Sequence, residues 1–232
     1  MTSDPRIARL RRSLADGELV SDREFDALYP PRVRALSSVF WTPARVALRA
    51  AALLAPTPGT RVLDVGSGVG KLCIVAAAST NATVTGIEHR ERLVSVARTA
   101  AERLGVSARF IHGDLCDVNW RRFDAFYFYN PFYENVDCMG ACIDAAVELS
   151  QRRFLIDVQL ALEALAHAPC GTRVVTYHGL GAELPPVYRL ESSECAGSDA
   201  LKLWIKTERP AADERSREVL AFAHPEGAIA TI

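Results

Sequence analysis

Alternating strand-like and helix-like segments occupy the chain from Thr60 to Thr207. Parallel strands need crossover connections that are usually helical, and strands buried on both faces read as nearly continuous apolar runs. This order predicts an α/β fold, a seven-stranded, mostly parallel, doubly wound sheet with an N-terminal helical extension. The last two strands are close enough to form an antiparallel hairpin at one edge. The strands are expected at 61–65, 82–88, 106–112, 123–129, 172–177, 187–193 and 200–207.

Helix signals precede and interrupt the strands. Ser21 and Glu24 have the spacing of a capping box, which predicts a helix start near residue 22. Thr42 followed by Pro43 predicts another start, with Thr42 as the N-cap. Residues 134–168 predict one or two helices, the clearer one from about Phe154 to Ala168. We therefore divide the chain into a helical cover at 1–56, a core domain at 57–209 and a tail at 210–232.

Composition narrows the functional classes. The chain is 49% hydrophobic, and its 27 basic and 28 acidic residues leave a net charge of −1. No overall basic field would attract nucleic acid or an anionic membrane. No apolar run approaches the roughly 18 residues of a membrane span, and no signal peptide precedes the first helix. The sequence does not indicate an oligomeric state.

The six cysteines are scattered and form no CxxC pair. A zinc site needs further ligands at compatible spacing, so we expect no metal. Free, buried thiols in a reducing cytoplasm are the expectation. The cysteines are Cys73, Cys116, Cys138, Cys142, Cys170 and Cys195.

A glycine-rich loop carries the clearest functional signal. The segment 62–70 reads Val-Leu-Asp-Val-Gly-Ser-Gly-Val-Gly and joins an expected strand to an expected helix. Glycines allow positive φ angles and let a ligand approach the backbone. A phosphate-binding P-loop would continue Gly-Lys-Ser/Thr, but Leu72 follows Lys71, and a dinucleotide fingerprint would read G-x-G-x-x-G. Asp64, two residues before the first glycine, would repel a pyrophosphate and suits a ligand with an ammonium group.

Two further acids follow the next strands. Glu88 ends the second strand, where a carboxylate can accept both hydroxyls of a ribose. Asp114 follows the third strand, where a carboxylate can accept the exocyclic amine of adenine. Taken singly, Glu88 also fits a solvated strand end, and Asp114 an ordinary turn. Their combination with the glycine loop favours a nucleoside site.

The loop and these acids resemble class I S-adenosylmethionine (SAM)-dependent methyltransferases over about residues 40–207. The resemblance implies a seven-stranded sheet whose last strand is antiparallel, with SAM as cofactor and S-adenosylhomocysteine as product. It also implies three groups of cofactor-binding residues. They are Asp64, Gly66, Ser67 and Gly68 at the methionine part, Glu88 at the ribose, and Asp114 with Leu115 at the adenine.

The end of the fourth strand reads Asn130-Pro131-Phe132-Tyr133 and is similar to the Asp/Asn-Pro-Pro-Tyr/Phe signature of methyltransferases that act on nitrogen. There the Asn side chain and the Pro carbonyl accept hydrogen bonds from an amino group, and the aromatic residue contacts the substrate. Phe132 replaces the second proline of that signature. A strand-ending turn and core packing are the alternatives, and core packing is what we expect for Phe126 and Phe128.

The run from Asp64 to Gly70 also resembles the Rossmann-type, non-SET histone lysine methyltransferases, as does Asn130 followed two residues later by Phe132. By the same resemblance Thr42, ahead of the first strand, is a cofactor-binding candidate. The chain has only three lysines and lacks a lysine-rich, nucleosome-binding region, so a histone substrate is not implied.

The sequence therefore predicts a cytoplasmic SAM-dependent methyltransferase that acts on a nitrogen of a protein or small-molecule acceptor. Catalysis is assigned to Asn130, Pro131, Phe132 and Tyr133, with Asn130 also bordering the cofactor. His178 is a candidate base at the end of the fifth strand, and Trp41 a candidate to close the site. The alternatives are an NAD-dependent oxidoreductase and a non-catalytic SAM-fold binding protein.

Overall fold

The computed structural model describes residues 4–136, 143, 144 and 146–207. Within these residues eight α-helices and seven strands occur, together with four short 3₁₀ turns at Asp26–Leu28, Leu115–Asp117, Trp120–Arg122 and Tyr133–Asn135. The helices are α1 (Pro5–Ala15), α2 (Asp22–Phe25), α3 (Pro31–Arg34), α4 (Ser37–Phe40), α5 (Ala44–Leu54), α6 (Lys71–Ser79), α7 (Glu91–Leu104) and α8 (Gln151–Ala166).

The strands form one sheet in the order β3-β2-β1-β4-β5-β7-β6. All neighbours are parallel except β7, which is antiparallel to both β5 and β6. The predicted α/β fold, including the antiparallel hairpin at one edge, is confirmed. The strands are β1 (Arg61–Val65), β2 (Thr83–Glu88), β3 (Arg109–His112), β4 (Ala125–Tyr129), β5 (Arg173–Tyr177), β6 (Tyr188–Cys195) and β7 (Ala200–Lys206).

Apolar cores cover both faces of the sheet, because successive side chains of a strand point to opposite faces. Tyr127 packs with the side of the sheet that carries α1, α5, α6 and α7. Phe126 and Phe128 pack on the other side with Val158 and Leu165 of α8. The prediction that Phe126 and Phe128 are core residues is confirmed.

A buried lysine holds the N-terminal helices to the sheet domain. Lys71, the first residue of α6, is 2% exposed. Its Nζ lies 2.8 Å from Asp22 Oδ1, 2.7 Å from Asp26 Oδ1 and 2.9 Å from Ser37 Oγ. A buried cation needs such partners. The helical cover is therefore joined to the helix that directly follows the glycine loop.

Local helix signals were only partly correct. The capping box is confirmed, since Ser21 Oγ accepts from the Glu24 N–H and Glu24 accepts from the Ser21 N–H. The prediction that Thr42 caps α5 is wrong: α5 begins at Ala44, and the Ala44 N–H donates to Asp22 at 2.8 Å. The Asp22 carboxylate, 22 residues earlier in the chain, thus takes the place of the expected Thr42 cap, because the segment with α2 packs against the start of α5.

Helix α8 begins at Gln151, three residues before the predicted start. Ser150 is its N-cap, and the Ser150 hydroxyl accepts from the Arg153 N–H at 3.2 Å. This cap fixes the first turn of α8, which faces the carboxyl ends of the strands.

The expectation of buried thiols holds for Cys73 but is wrong for Cys116, Cys170 and Cys195, which are exposed. Cys138 and Cys142 lie outside the described residues. In the part of the chain that the structure describes, no helix has the length and apolar character needed to cross a bilayer.

Candidate active site

A cavity of about 580 Å³ lies at the carboxyl ends of β1 to β5. The strand order reverses between β1 and β4, and such a switch point is where open α/β sheets bind ligands. Trp41 of the cover and Arg153 of α8 complete the wall. The cavity is therefore enclosed by the sheet, the N-terminal cover and α8.

Most of the predicted site residues meet in this wall. Those lining the cavity are Trp41, Gly66, Gly68, Glu88, Asp114, Leu115, Asn130, Pro131, Phe132, Tyr133 and His178. Three candidates, Thr42, Asp64 and Ser67, instead line a small adjacent cavity of about 30 Å³ that shares Trp41 and Gly68 with the large one. Thr42 Oγ1 lies 3.2 Å from Tyr127 Oη on β4.

The glycine loop is held tightly against its neighbours. Gly66 and Ser67 donate their N–H groups to Ile87 O at 3.0 and 2.9 Å. Gly68 has a φ of 54°, and a Cβ there would lie 2.8 Å from Cζ3 of Trp41. A side chain at this position would therefore be strained and would push the indole away. The loop needs a glycine here so that Trp41 can pack on it.

Glu88 is fixed from both sides at the cavity wall. It is 7% exposed, and its Oε2 accepts from the Gly68 N–H at 3.0 Å. Its Oε1 accepts from the Arg90 N–H at 2.8 Å. Each carboxylate oxygen keeps a further lone pair for a ligand hydroxyl.

Asp64 is a buried carboxyl with an altered acidity. It accepts a hydrogen bond from Cys73 Sγ at 3.3 Å. Burial raises the pKa of Asp64 to about 7, and the nearby negative charge of Glu88 also raises it. Because a cation beside it would favour the ionised form, the site is suited to a positively charged group.

A chain of three charged side chains joins α8 to Asp114. Arg153 Nη2 contacts Asp114 Oδ1, and Arg153 Nε lies 2.7 Å from Asp157 Oδ2. Sequence reasoning missed Arg153 and Asp157. Their i, i+4 spacing on a helix was the available signal.

A second unexpected residue, Arg90, stabilises the segment after β4. Its buried guanidinium pairs with Glu134 at 2.9 Å and with Asp144 at 3.0 Å. Glu134 Oε1 also accepts from the Ile143 N–H at 2.8 Å. The chain on either side of the undescribed residues 137–142 is thereby held beside the cavity.

Two residues at the cavity have a left-handed backbone without being glycine. Asn130 has a φ of 43° and His178 a φ of 59°. The Asn130 N–H donates to Gly179 O at 3.0 Å, which links the ends of β4 and β5. Such conformations cluster at functional sites. They present Asn130 at the junction between the two strands.

The ring nitrogens of His178 are both engaged by the turn between β6 and β7. Nδ1 lies 3.1 Å from Asp199 Oδ2, and Nε2 lies 3.0 Å from Ser198 Oγ. The role of His178 as a base stays a prediction. The two contacts attach the hairpin turn to the cavity rim.

Comparison with known proteins identifies the domain. A family model described as "Methyltransferase domain" matches residues 56–186. The chain is 38% identical over 86 residues to the uncharacterized protein YjhP of Escherichia coli (strain K12), a match that covers 36% of this chain and 31% of that protein. The match thus spans about a third of the length of this curated relative.

Two solved structures share the fold. TrmN from Thermus thermophilus superposes with a TM-score of 0.56 at 24% identity, over 79% of this chain and 53% of that one. A methyltransferase from Pyrococcus furiosus superposes with a TM-score of 0.50 at 18% identity, over 76% of this chain and 97% of that one. The alternative of an NAD-dependent oxidoreductase finds no support in these matches. The chain belongs to the methyltransferase-domain family.

Proposed function

We propose that this protein transfers a methyl group from SAM to a nitrogen atom of a small-molecule or protein acceptor. The observation that carries the proposal is the meeting of Asn130-Pro131-Phe132-Tyr133 with the glycine loop and Glu88 in one cavity. The acceptor-nitrogen signature and the nucleoside-binding acids thus border the same space.

The residues present fit the cofactor. A volume of about 580 Å³ lies within the usual range for a ligand site. Glu88 is held with lone pairs available for the ribose hydroxyls, and Asp114 and Leu115 border the adenine. The methionine part is assigned to Thr42, Asp64, Gly66, Ser67 and Gly68, where the acidity of Asp64 suits an ammonium group. SAM supplies a sulfonium methyl group, which passes to the acceptor nitrogen as its bond to sulfur breaks, leaving S-adenosylhomocysteine.

The acceptor end is assigned to Asn130. Among the described residues, none forms a hydrogen bond with its side-chain amide. We assign to the amide oxygen of Asn130 and the carbonyl of Pro131 the role of accepting from an amino group and orienting its lone pair. Positioning of this kind supplies most of what a methyl transfer needs. Phe132 is buried and shapes the wall, whereas Tyr133 is 48% exposed at the mouth.

The aromatic wall suits an amine in its neutral form. Phe40, Tyr129 and Phe132 all line the cavity, and an apolar surrounding disfavours the charged form of an amine. The same rings can face a cationic sulfur. The acceptor amine must lose its proton before transfer, because only its neutral form has a lone pair to accept the methyl group.

The cofactor assignment is tested by calorimetry with S-adenosylhomocysteine. Glu88→Ala and Asp64→Ala are expected to weaken binding at least tenfold, because each removes a charged partner of the ligand. Glu91→Ala is the matched control, an exposed acid three residues after Glu88. Tight binding that is unchanged in both site variants would contradict the assignment.

The acceptor assignment is tested by methyl transfer to lysine peptides, small amines, glutamine peptides and RNA. Asn130→Ala is expected to keep the affinity for S-adenosylhomocysteine and to lose turnover. Asn81→Ala, an exposed asparagine before β2, is the matched control. Product analysis that places the new methyl group on oxygen or carbon would refute nitrogen as the acceptor. Cofactor binding without transfer to any acceptor would favour the non-catalytic alternative.

We also infer a cytoplasmic location. Three free, exposed thiols, Cys116, Cys170 and Cys195, are best tolerated in a reducing compartment. Localisation of the tagged protein by fractionation tests this inference, which fails if the protein is found in an oxidising compartment.

A further inference from the structure

Asp114 lies on the cavity wall with much of its side chain in solvent. Its side chain is 43% exposed, and its one ion pair among the described residues is with Arg153. In a capping box with Asp117, the Asp114 side chain also accepts from the backbone of the short 3₁₀ turn that follows. The contact with Arg153 involves Oδ1, and the carboxylate keeps lone pairs for a further donor.

Asp157 explains why Arg153 reaches Asp114. The Asp157 side chain is 6% exposed, and its Oδ1 has no hydrogen-bond partner among the described residues. Its Oδ2 accepts from Arg153 Nε at 2.7 Å. A buried carboxylate is costly unless it is paired. The ion pair with Asp157 holds the guanidinium at Nε, and Nη2 of the same group contacts Asp114.

The position of the bridge on α8 follows from the helix start. Ser150 caps α8 and sets Arg153 in its first turn, and Ser150 is itself held by the Asn135 side chain at 3.3 Å. Arg153 and Asp157 both line the cavity. The first turns of α8 are therefore directed at the cavity end that contains Asp114 and Leu115.

We propose that Arg153, fixed by Asp157, is a positioning residue that orients Asp114 to select the 6-amino group of adenine. The proposal rests on the proposed function, since it assumes that the adenine of SAM lies at Asp114. Arg153 acts through Asp114: it fixes the carboxylate so that a remaining lone pair accepts from an amino group. A purine with a 6-oxo group presents an acceptor there and is rejected.

The experiment compares two ligands by calorimetry. S-adenosylhomocysteine carries the amino group, and S-inosylhomocysteine carries an oxygen in its place, with the rest of the molecule unchanged. The wild-type protein is expected to prefer the adenine ligand by about tenfold to a hundredfold, the range of a hydrogen bond to a charged group.

Arg153 cannot be removed alone without leaving Asp157 as an unpaired buried charge. The test variant is therefore Arg153→Met with Asp157→Leu, which replaces the pair by apolar side chains of similar volume. We expect the preference for adenine to fall to within about threefold. The matched control is Arg152→Met, an exposed neighbour on α8, which is expected to keep the wild-type preference. In an Asp114→Asn background the same double substitution is expected to change the ratio no further.

The outcomes separate the inference from the proposed function. If Asp114→Asn loses the preference but the Arg153/Asp157 variant keeps it, the positioning role is overturned and the adenine site stands. If the double variant weakens both ligands equally, Arg153 has a general structural role and the inference is also overturned. If the wild-type protein binds neither ligand, the proposed function fails, and the inference with it.

Discussion

We expect Asp64 to make the affinity for the proposed cofactor depend on pH. Its pKa is raised to about 7, chiefly because burial disfavours the charged form. An ammonium group bound beside it favours the ionised carboxylate, so binding lowers that pKa. Below about pH 7 the free protein holds a proton that must leave before the ion pair forms. Affinity is therefore expected to rise with pH and to level off above about 7.

The size of the effect follows from the proton. Each pH unit below the pKa of the free protein costs about 1.4 kcal/mol, or a factor of about ten in affinity. Between about pH 7 and 5 the dissociation constant for S-adenosylhomocysteine is expected to rise by up to about a hundredfold. The Cys73 thiol that donates to Asp64 stays protonated through this range, since burial raises its pKa.

The assay is calorimetry across that range with two ligands. 5′-Methylthioadenosine lacks the amino-acid part and is the control, so its affinity is expected to stay level. In Asp64→Asn the slope for S-adenosylhomocysteine is expected to disappear, because no carboxyl remains to titrate. A flat profile in the wild type, or an equal slope for both ligands, would refute the reasoning.

Three further predictions follow from the same contacts. Asp64→Asn is expected to stabilise the ligand-free protein above about pH 7 by up to about 4 kcal/mol in urea unfolding. The sign follows because the pKa of Asp64 is about 7 in the folded protein and 3.8 ordinarily, so the wild type loses stability as the pH rises from 3.8 to about 7. If Asp64→Asn is no more stable than the wild type at about pH 8, the buried charge is contradicted. Gly68→Ala is expected to lower the free energy of unfolding by about 1–3 kcal/mol and to weaken S-adenosylhomocysteine binding, since its Cβ would lie 2.8 Å from Trp41. Adding Trp41→Ala should restore part of the stability. If it restores none, the clash with Trp41 is not the cause. Lys71→Met is expected to lower the free energy of unfolding by about 3–5 kcal/mol, because Asp26 stays buried without a cation. The double variant Lys71→Met with Asp26→Leu should regain most of that stability. If Lys71→Met alone unfolds at the same urea concentration as the wild type, the pairing does not stabilise the protein.

The sheet was predictable because its signals are local and repeated. Each of the seven strands was expected at its place, and so was the antiparallel pair at one edge. Strand ends were less certain: β3 was expected from residue 106 but begins at Arg109, where its pairing with Thr85 of β2 starts. An edge strand has one partner, so its length is set by a register that the sequence does not show.

The sequence motifs at the glycine loop, Glu88 and Asn130 predicted residues that lie together at one cavity, and their roles there stay predictions. The contacts between side chains that are far apart in the sequence were not predictable. Arg153 and Asp157 show helical spacing, but the contact with Asp114 joins residues 39 positions apart. The contacts of the His178 ring with Ser198 and Asp199, in a turn-rich stretch, were likewise not visible in the sequence.

The cavity wall is assembled from two lengths of chain, and only one of them lies within the segment that the family model matches. Val39, Phe40 and Trp41 come from outside it. Trp41 packs on Gly68, so a substitution of Trp41 would disturb the glycine loop. Phe40 lines the small cavity beside the glycine loop as well as the large one, whereas Val39 is 56% exposed and lines only the large one. A substitution at Val39 can therefore change the shape of the large cavity without touching the small one, so a common core can be adapted by an exchange at one exposed position ahead of it.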